Sequence, residues 1–258
     1  MSSYISTYNE REIEGFARKR HEHIAQSPFE RYRLELMGLL FDNSIKGMVL
    51  DIGCNIGEGT RTYKHRAKKA VLMDKELFLL KCAGRFNKDL TNLSFVCADL
   101  ANLPFRGSSF DSIILTEVLE HQPKGIHNEI LEEILRIAKD GCTIFISTPN
   151  RLSVPALEGK FIKIFFRNYI WNAWDDTHQY IYSSKEFINF LSSRGLQIKD
   201  WLGYYFLPGS LLIRLPKKMQ QVLGYLSFLV SRHLGRTFPF KYLGFSTIVQ
   251  LQKLASRM

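Results

Sequence analysis

The fold of this protein is decided by residues 49–60, which read Val-Leu-Asp-Ile-Gly-Cys-Asn-Ile-Gly-Glu-Gly-Thr. An apolar run leads into the carboxylate of Asp51 and a glycine-spaced turn, and a polar, helix-compatible segment follows from Glu58. This order is typical of a buried parallel strand whose carboxyl end presents a turn to a ligand. Gly53 and Gly57 tolerate positive φ and let a ligand approach the backbone, and Asn55 tolerates the same geometry best after glycine.

A dinucleotide site is the main alternative for a strand, glycine turn and helix, but its G-x-G-x-x-G pattern requires glycine at positions 53, 55 and 58. Asn55 and Glu58 occupy two of these positions. An acid two residues before the first glycine instead resembles the first motif of class I S-adenosylmethionine-dependent methyltransferases, Asp/Glu-x-Gly-x-Gly-x-Gly, with Asn55 in place of the middle glycine. The resemblance implies that the cofactor S-adenosylmethionine contacts Asp51, Gly53, Cys54, Asn55 and Gly57.

Two further acids follow apolar runs in the pattern of the same family. Asp74 ends the run 70–73 and lies 23 residues beyond Asp51, close to the ~20-residue offset at which an acid binds ribose hydroxyls. Asp99 follows the run 93–98. The resemblance implies that Asp74 binds the ribose and that Asp99 and the backbone of Leu100 bind the adenine. Lys75 stands where the family has an apolar residue against the adenine.

The segment Glu117-Val-Leu-Glu-His121 follows the fourth apolar run, 112–116, and closely resembles the fourth motif of small-molecule methyltransferases. The fifth run, 141–147, ends in Thr148-Pro-Asn150, which is also familiar in that family. In an open parallel sheet, ligands bind outside the carboxyl ends of the strands near the reversal of strand order. We therefore expect Glu117 and His121 to lie beside the cofactor.

These runs predict an α/β fold: a Rossmann-like seven-stranded, mostly parallel sheet with an antiparallel seventh strand and helices on both faces. The predicted helices cover 8–42 with a break at Ser27-Pro28, 58–69, 76–86, 126–138, 183–193 and 217–234. The remaining strands are expected at 196–201 and 244–251. At 258 residues, one domain spanning 1–258 is sufficient. It divides into an N-terminal helical lid (1–44), a cofactor-binding core (45–150), an aromatic lid insertion (151–182) and a basic amphipathic insertion (204–241).

The two insertions are expected to form the binding site for the substrate that accepts the methyl group. The first contains Phe161, Phe165, Phe166, Tyr169, Trp171 and Trp174, which would form apolar walls or simply cover the sheet edge. It also brings in His178, and His121 and His178 are the candidate catalytic bases because an imidazole titrates near neutral pH. In the N-terminal lid, Arg31 and Arg33 are candidates to bind the carboxylate of the cofactor.

The net charge of +10 is unevenly distributed. From Arg194 to the end there are ten Lys and Arg residues and a single acid, Asp200. The segment 217–236 reads as a basic amphipathic helix, which predicts either contact with an anionic membrane surface or packing of its apolar stripe on the domain. A solvated basic face is an equal alternative for the charge as a whole.

The four cysteines are widely spaced, and we expect reduced, buried thiols. His21-x-His23 lacks ligand partners at metal spacing, so no metal site is predicted. The N-terminus has no apolar secretory core and no run of apolar residues is long enough to span a bilayer, which predicts a cytoplasmic protein, at most peripheral at the membrane.

The sequence thus predicts a methyltransferase that acts on a small molecule, with an oxygen of a glycan, lipid-linked or phosphorylated metabolite as the favoured acceptor. An RNA methyltransferase is an alternative suggested by the basic tail, although the fourth motif lacks the Asp/Asn-Pro-Pro-aromatic sequence of enzymes that methylate base amino groups. A non-catalytic module that binds S-adenosylmethionine is the second alternative. The acceptor and the oligomeric state cannot be derived from the sequence.

Overall fold

A seven-stranded sheet with the order β3-β2-β1-β4-β5-β7-β6 forms the centre of the protein. The computed structural model describes residues 10–41, 43–165, 177–192, 196–207 and 215–255. The strands are β1 (Gly47–Ile52), β2 (Ala67–Asp74), β3 (Leu93–Cys97), β4 (Phe110–Thr116), β5 (Ala138–Pro149), β6 (Leu196–Tyr204) and β7 (Ser246–Lys253). Strands β1 to β5 are parallel, and β7 runs antiparallel to both β5 and β6. The predicted fold class is confirmed.

Helices cover both faces of this sheet. They are α1 (Glu10–Gln26), α2 (Pro28–Phe41), α3 (Thr60–Tyr63), α4 (Leu77–Phe86), α5 (His127–Ile137), α6 (Val154–Phe165), α7 (Ser184–Ser192), α8 (Lys217–Leu234) and α9 (Phe240–Leu243). One core cluster joins α5 and α7 to one face of the sheet. The other joins α2, α3, α4 and α8 to the opposite face. Within the described ranges, no helix combines the length and the apolar character that crossing a bilayer requires.

The first crossover differs from the prediction. We expected a helix over 58–69, but the α-helix covers only Thr60–Tyr63 and β2 already begins at Ala67. The reason is strand pairing, because Ala67 and Lys69 lie opposite Gly47 and Met48 of β1. Residues with adequate helix propensity are therefore extended here, since tertiary pairing outweighs local preference.

The predicted break between two N-terminal helices is confirmed, since α1 and α2 are separated at Ser27. The Ser27 hydroxyl accepts a hydrogen bond from the Glu30 amide at 3.4 Å. Cys54, Cys82 and Cys142 are buried, as expected, but Cys97 is exposed. It lies on β3, which is one of the two edge strands of the sheet and pairs with a neighbour on one side only.

Helix α8 has the predicted bounds, but it packs with a different face. Its buried residues are Gly224, Ser227, Phe228 and Ser231. Much of the predicted apolar stripe is exposed instead, namely Met219, Val222, Leu226 and Leu234. Small residues are buried because α8 approaches α2 closely: a Cβ on Gly224 would lie 2.5 Å from Cβ of Pro28.

Part of the aromatic lid lies outside the described residues. Phe166, Tyr169, Trp171 and Trp174 belong to 166–176, which the structure does not describe. The preceding segment forms α6, where Leu157 and Ile164 are exposed.

Candidate functional site

The glycine turn after β1 is held in left-handed geometry. The φ angles of Gly53, Asn55 and Gly57 are 67°, 52° and 69°. Asp74 at the end of β2 fixes this turn, because its Oδ2 accepts a hydrogen bond from the Asn55 amide at 2.9 Å. Its Oδ1 accepts one from the Glu76 amide at 3.0 Å. A single carboxylate therefore orders the ends of two neighbouring strands.

Asp51 is a buried acid at the end of β1, with 6% of its surface exposed. The pKa of this carboxyl is raised to about 7, because burial and the nearby Asp74 together outweigh the lowering effect of a hydrogen bond from Tyr63. The Tyr63 hydroxyl donates to Oδ2 of Asp51 at 2.7 Å. Because its pKa lies near neutral pH, a change in the surroundings of Asp51 can change its charge.

Two cavities meet at the glycine turn. The larger, of about 600 Å³, is lined by Asp74, Lys75, Asp99, Leu100 and His121, among others. The smaller, of about 370 Å³, is lined by acids, arginines and apolar side chains and includes Asp51, Cys54 and His178. Gly53, Asn55 and Glu117 line both. Both volumes lie within the range of small-molecule sites, roughly 300–1,000 Å³.

Two arginines and two glutamates lie along the smaller cavity. Arg33 pairs with Glu30 at 2.8 Å and lies 3.6 Å from Glu58. Arg20 pairs with Glu58 and, at 3.3 Å, with Glu30. Burial opposes the charge of Glu30, but the two arginines outweigh it and lower the pKa of this carboxyl. The network joins α1 and α2 to the glycine turn.

Of the two arginines proposed for the cofactor carboxylate, Arg33 lines the smaller cavity. Arg31 is exposed and stacks on the ring of Tyr32 instead.

Glu117 is half-buried within a polar cage between the cavities. Its Oε1 accepts hydrogen bonds from Ser147 at 2.6 Å and Tyr204 at 3.2 Å, and its Oε2 accepts one from Ser246 at 3.2 Å. Burial raises the pKa of Glu117, while the Ser147 hydrogen bond and the charge of Arg33 lower it. Its φ of 55° is unusual for a residue other than glycine, and such strained positions are concentrated at functional sites.

The two candidate bases lie together. The rings of His121 and His178 have their centroids 4.7 Å apart, and the Thr177 hydroxyl lies 2.8 Å from Nδ1 of His121. The carbonyl of Glu120 anchors this contact, since it accepts a hydrogen bond from the Gln179 amide at 2.7 Å. Glu120, His121 and His178 form a Glu-His-His cluster whose ligand atoms all lie within 4.8 Å of one another.

Nine of the ten residues predicted to bind the cofactor line one or both cavities, and Gly57 lines neither. A Cβ on Gly57 would meet Nδ2 of Asn87 and a methyl group of Leu72, so this glycine serves the turn and its contact with α4. Asp99 is exposed, and its Oδ1 accepts a hydrogen bond from the Ala101 amide at 2.9 Å. Residues 100–102 form a turn, so this is a local turn contact and not a helix cap.

Several site residues were missed by sequence reasoning. Tyr63 follows Asp51 at no recognisable motif spacing, and the pairing of Arg20 with Glu58 joins distant parts of the chain. Glu120 belongs to the segment 117–121, but the motif gives it no role of its own. A signal for Glu120 was present, because a second acid beside a histidine at a strand end is chemically unusual.

Comparisons with known proteins match this chain to methyltransferases. Residues 50–146 match the family described as methyltransferase domain. The malonyl-[acyl-carrier protein] O-methyltransferase of Marinomonas sp. (strain MWYL1) is 22% identical over 204 residues, which cover 76% of this chain and 72% of that protein. The demethylmenaquinone methyltransferase of Paenarthrobacter aurescens (strain TC1) is 27% identical over 128 residues, 49% of this chain and 48% of that protein.

A solved structure with the same fold is the N-methyltransferase NodS from Bradyrhizobium japonicum WM9, in complex with S-adenosyl-L-homocysteine. It is 12% identical, covers 90% of each chain and has a TM-score of 0.58. The sheet order, the motif resemblance and the family match lead to the same assignment. The segment 50–146 therefore belongs to the methyltransferase domain family, and the chain has the fold of the class I methyltransferases, whose cofactor is S-adenosylmethionine.

Proposed function

We propose that this protein transfers a methyl group from S-adenosylmethionine to an oxygen of a small molecule that has an apolar part. The observation that carries the proposal is the pair of cavities that share Gly53, Asn55 and Glu117. One cavity is bordered by the acids expected to hold the adenosine, and the other by mixed apolar and charged side chains. An acceptor in the smaller cavity would therefore meet the cofactor at the shared residues.

The residues of the larger cavity suit an adenosine. A carboxylate has about four lone-pair positions, and Asp74 uses two of them for backbone amides, which leaves acceptor capacity for ribose hydroxyls. Asp99 would accept a hydrogen bond from the adenine amino group and the Leu100 backbone would meet the ring. Lys75 is exposed at the rim, where its aliphatic stem can cover the base.

The smaller cavity suits the methionyl end of the cofactor and the acceptor. S-adenosylmethionine supplies an electrophilic methyl group on a positively charged sulfur. Arg33 is the candidate for the cofactor's carboxylate, and Asp51, when ionised, for its ammonium group. Phe29, Met37 and Phe245 add apolar walls that exclude water from the reacting atoms, and the orientation gained in such a site accelerates a displacement.

An acceptor hydroxyl must lose a proton, and His178 is the first candidate to take it because this residue lines the smaller cavity. His121 lines the larger cavity and contacts the His178 ring, so it would support the position of His178. General bases of this kind contribute typically 10²–10⁴-fold to a rate.

The exposed face of α8 supports an acceptor that is carried by a lipid. Met219, Val222 and Leu226 are each about half exposed, and Lys217 and Lys218 are exposed beside them. From residue 201 onward the sequence has no acid. An apolar stripe with basic flanks is the composition that binds an anionic bilayer surface, so we assign this face to such a surface.

The membrane assignment is tested with liposomes and the full-length protein. We expect sedimentation with vesicles that contain phosphatidylserine and little sedimentation with neutral vesicles. Replacement of Lys217 and Lys218 by Ser should weaken binding roughly 30-fold, at about 1 kcal/mol for each lysine. Replacement of Lys68 and Lys69, exposed on β2, by Ser is the matched control. Equal binding to both kinds of vesicle, or an equal loss in the control, would show the assignment to be wrong.

The methyl-transfer proposal is tested in two stages. Isothermal titration with S-adenosylmethionine should show one site, and its absence would refute the proposal. Incubation with pooled small-metabolite, lipid and RNA fractions should then give a mass gain of one CH2 in a metabolite or a lipid. A gain confined to RNA would identify the RNA methyltransferase alternative, and binding without any product would identify the non-catalytic module.

A further inference from the structure

The Glu-His-His cluster contains a buried carboxylate, that of Glu120. Glu120 is 1% exposed, and neither of its carboxylate oxygens makes a hydrogen bond of ordinary geometry. No lysine or arginine of the described residues forms an ion pair with it. Buried carboxylates are normally hydrogen-bonded, paired with a cation or bound to a metal, so the environment of Glu120 is incomplete.

A second acid and an unpaired hydroxyl lie near Glu120. The carboxylate of Glu117 is close enough for its negative charge to act on Glu120. Thr148 is itself buried without a hydrogen-bond partner for its hydroxyl. Two carboxylates are therefore close together where no lysine or arginine of the described part of the chain pairs with Glu120.

We propose that Glu120, His121 and His178 bind a divalent transition-metal cation. Two imidazoles and one carboxylate are the donor set that proteins use for Zn²⁺ and Fe²⁺ at sites that keep open positions. Ligands 2.0–2.2 Å from a cation lie at most about 4.4 Å apart. The 4.8 Å spread of the three donor atoms is about 0.4 Å above this limit, so side-chain rotations must bring the donor atoms closer together around a cation.

The backbone and a neighbouring hydroxyl support this geometry. The carbonyl of Glu120 accepts hydrogen bonds from the amides of Gln179 at 2.7 Å and Tyr180 at 3.2 Å, which fixes the segment that carries His178. The contact of Thr177 with Nδ1 of His121 leaves Nε2 for the metal, in the way that outer-shell partners orient ligating histidines. The site does not depend on long flexible side chains.

The position of the site gives the cation a role, which rests on the proposed function. His178 lines the smaller cavity and His121 the larger, and Glu117 lies between the two. A cation here would hold the acceptor oxygen and lower the pKa of its hydroxyl, so that the proton leaves to water more readily. A histidine that ligates a cation cannot also accept that proton, so the metal role of His178 replaces the role of general base.

The experiment measures metal binding directly and without turnover. Tag-free full-length protein is stripped with EDTA and titrated with Co²⁺, and its visible d–d absorption is recorded. We expect saturation at one equivalent and displacement of the band by Zn²⁺. The variants E120Q and H178Q should each lose more affinity than the roughly 10–100-fold that removal of an outer-shell partner costs.

The control is H233Q, on the exposed face of α8, which should bind Co²⁺ like the wild type. Titration with S-adenosyl-L-homocysteine shows that each variant is folded and tests the cofactor site separately. Absence of a stoichiometric Co²⁺ band in the wild type would overturn the metal site while leaving methyl transfer intact, and so would unchanged binding in both variants. Loss of cofactor binding alone would count against the proposed function and not against the metal.

Discussion

Replacement of Asp51 by Asn should stabilise the protein in the absence of cofactor. The folded-state pKa of Asp51 is about 7 against an ordinary value of 3.8. Because the folded state binds this proton more tightly than the unfolded chain, the free energy of unfolding falls as pH rises from about 4 to about 7 and stays constant above that. The difference of about three pKa units corresponds to a ceiling of about 4 kcal/mol.

The stability of the Asn variant does not fall in this way as pH rises, because its amide remains neutral. Its Oδ1 can still accept the hydrogen bond from Tyr63. Near pH 4 the variant and the wild type should have similar stability. Above pH 7 the variant should be more stable by up to about 4 kcal/mol, which corresponds to a rise in the melting temperature of up to roughly 8–16 °C for a chain of this length. Urea denaturation at a series of pH values measures the difference.

Asp111 provides a control of opposite sign. Burial works against its charge, but hydrogen bonds from Lys139 and from the Met48 amide outweigh it and lower the pKa of this carboxyl. The variant D111N should therefore be less stable than the wild type at pH 8, and the loss should disappear as pH falls through the folded-state pKa. The reasoning is refuted if D51N is no more stable than the wild type at pH 8, or if its gain does not depend on pH.

Three further outcomes are expected. The variant G53A should lose about 1–2 kcal/mol of stability, because φ is 67° and the added Cβ would overlap Val118; G59A, where nothing lies within 4 Å, should lose little in the same denaturation assay. The variant D74N should bind S-adenosyl-L-homocysteine roughly 10–100-fold more weakly by calorimetry, since hydrogen bonds to a charged group contribute about 1.5–3 kcal/mol; unchanged affinity would exclude a ribose contact. Replacement of His178 by Gln should lower turnover roughly 100-fold or more with little change in cofactor affinity, because it removes the general base or, where a cation is bound, one of its ligands. Equal losses of both would indicate a structural role.

Much of the sheet could be predicted because its strands are short apolar runs that end at polar residues. Asp51, Asp74 and Glu117 all follow this rule, and the structure brings them to one edge of the sheet around two cavities. The left-handed geometry of Asn55 also followed from residue type, since few other residues accept it. The bounds of α8 followed from helical periodicity.

Other features depend on packing that local sequence does not encode. Periodicity shows that α8 is amphipathic, but a narrow strip of glycine and serine can be the buried side when another helix approaches closely, as α2 does at Gly224. The short α3 results from the pairing of Ala67 with β1. His121 and His178 are far apart in the sequence, so their contact depends on how the segment after the aromatic insertion returns to the sheet.

The packing of α2 between α8 and the smaller cavity has a consequence for how far an acceptor must travel. The ring of Phe228 on α8 stacks on Tyr32 of α2 at 5.3 Å, and Arg33 and Met37 of the same helix line the cavity. A helix with its side chains is about 10–12 Å thick. If α8 lies on a bilayer, the head group of a lipid would have to move out of the membrane by little more than the thickness of α2 to reach the cavity. The acyl chains of that lipid could remain in the bilayer.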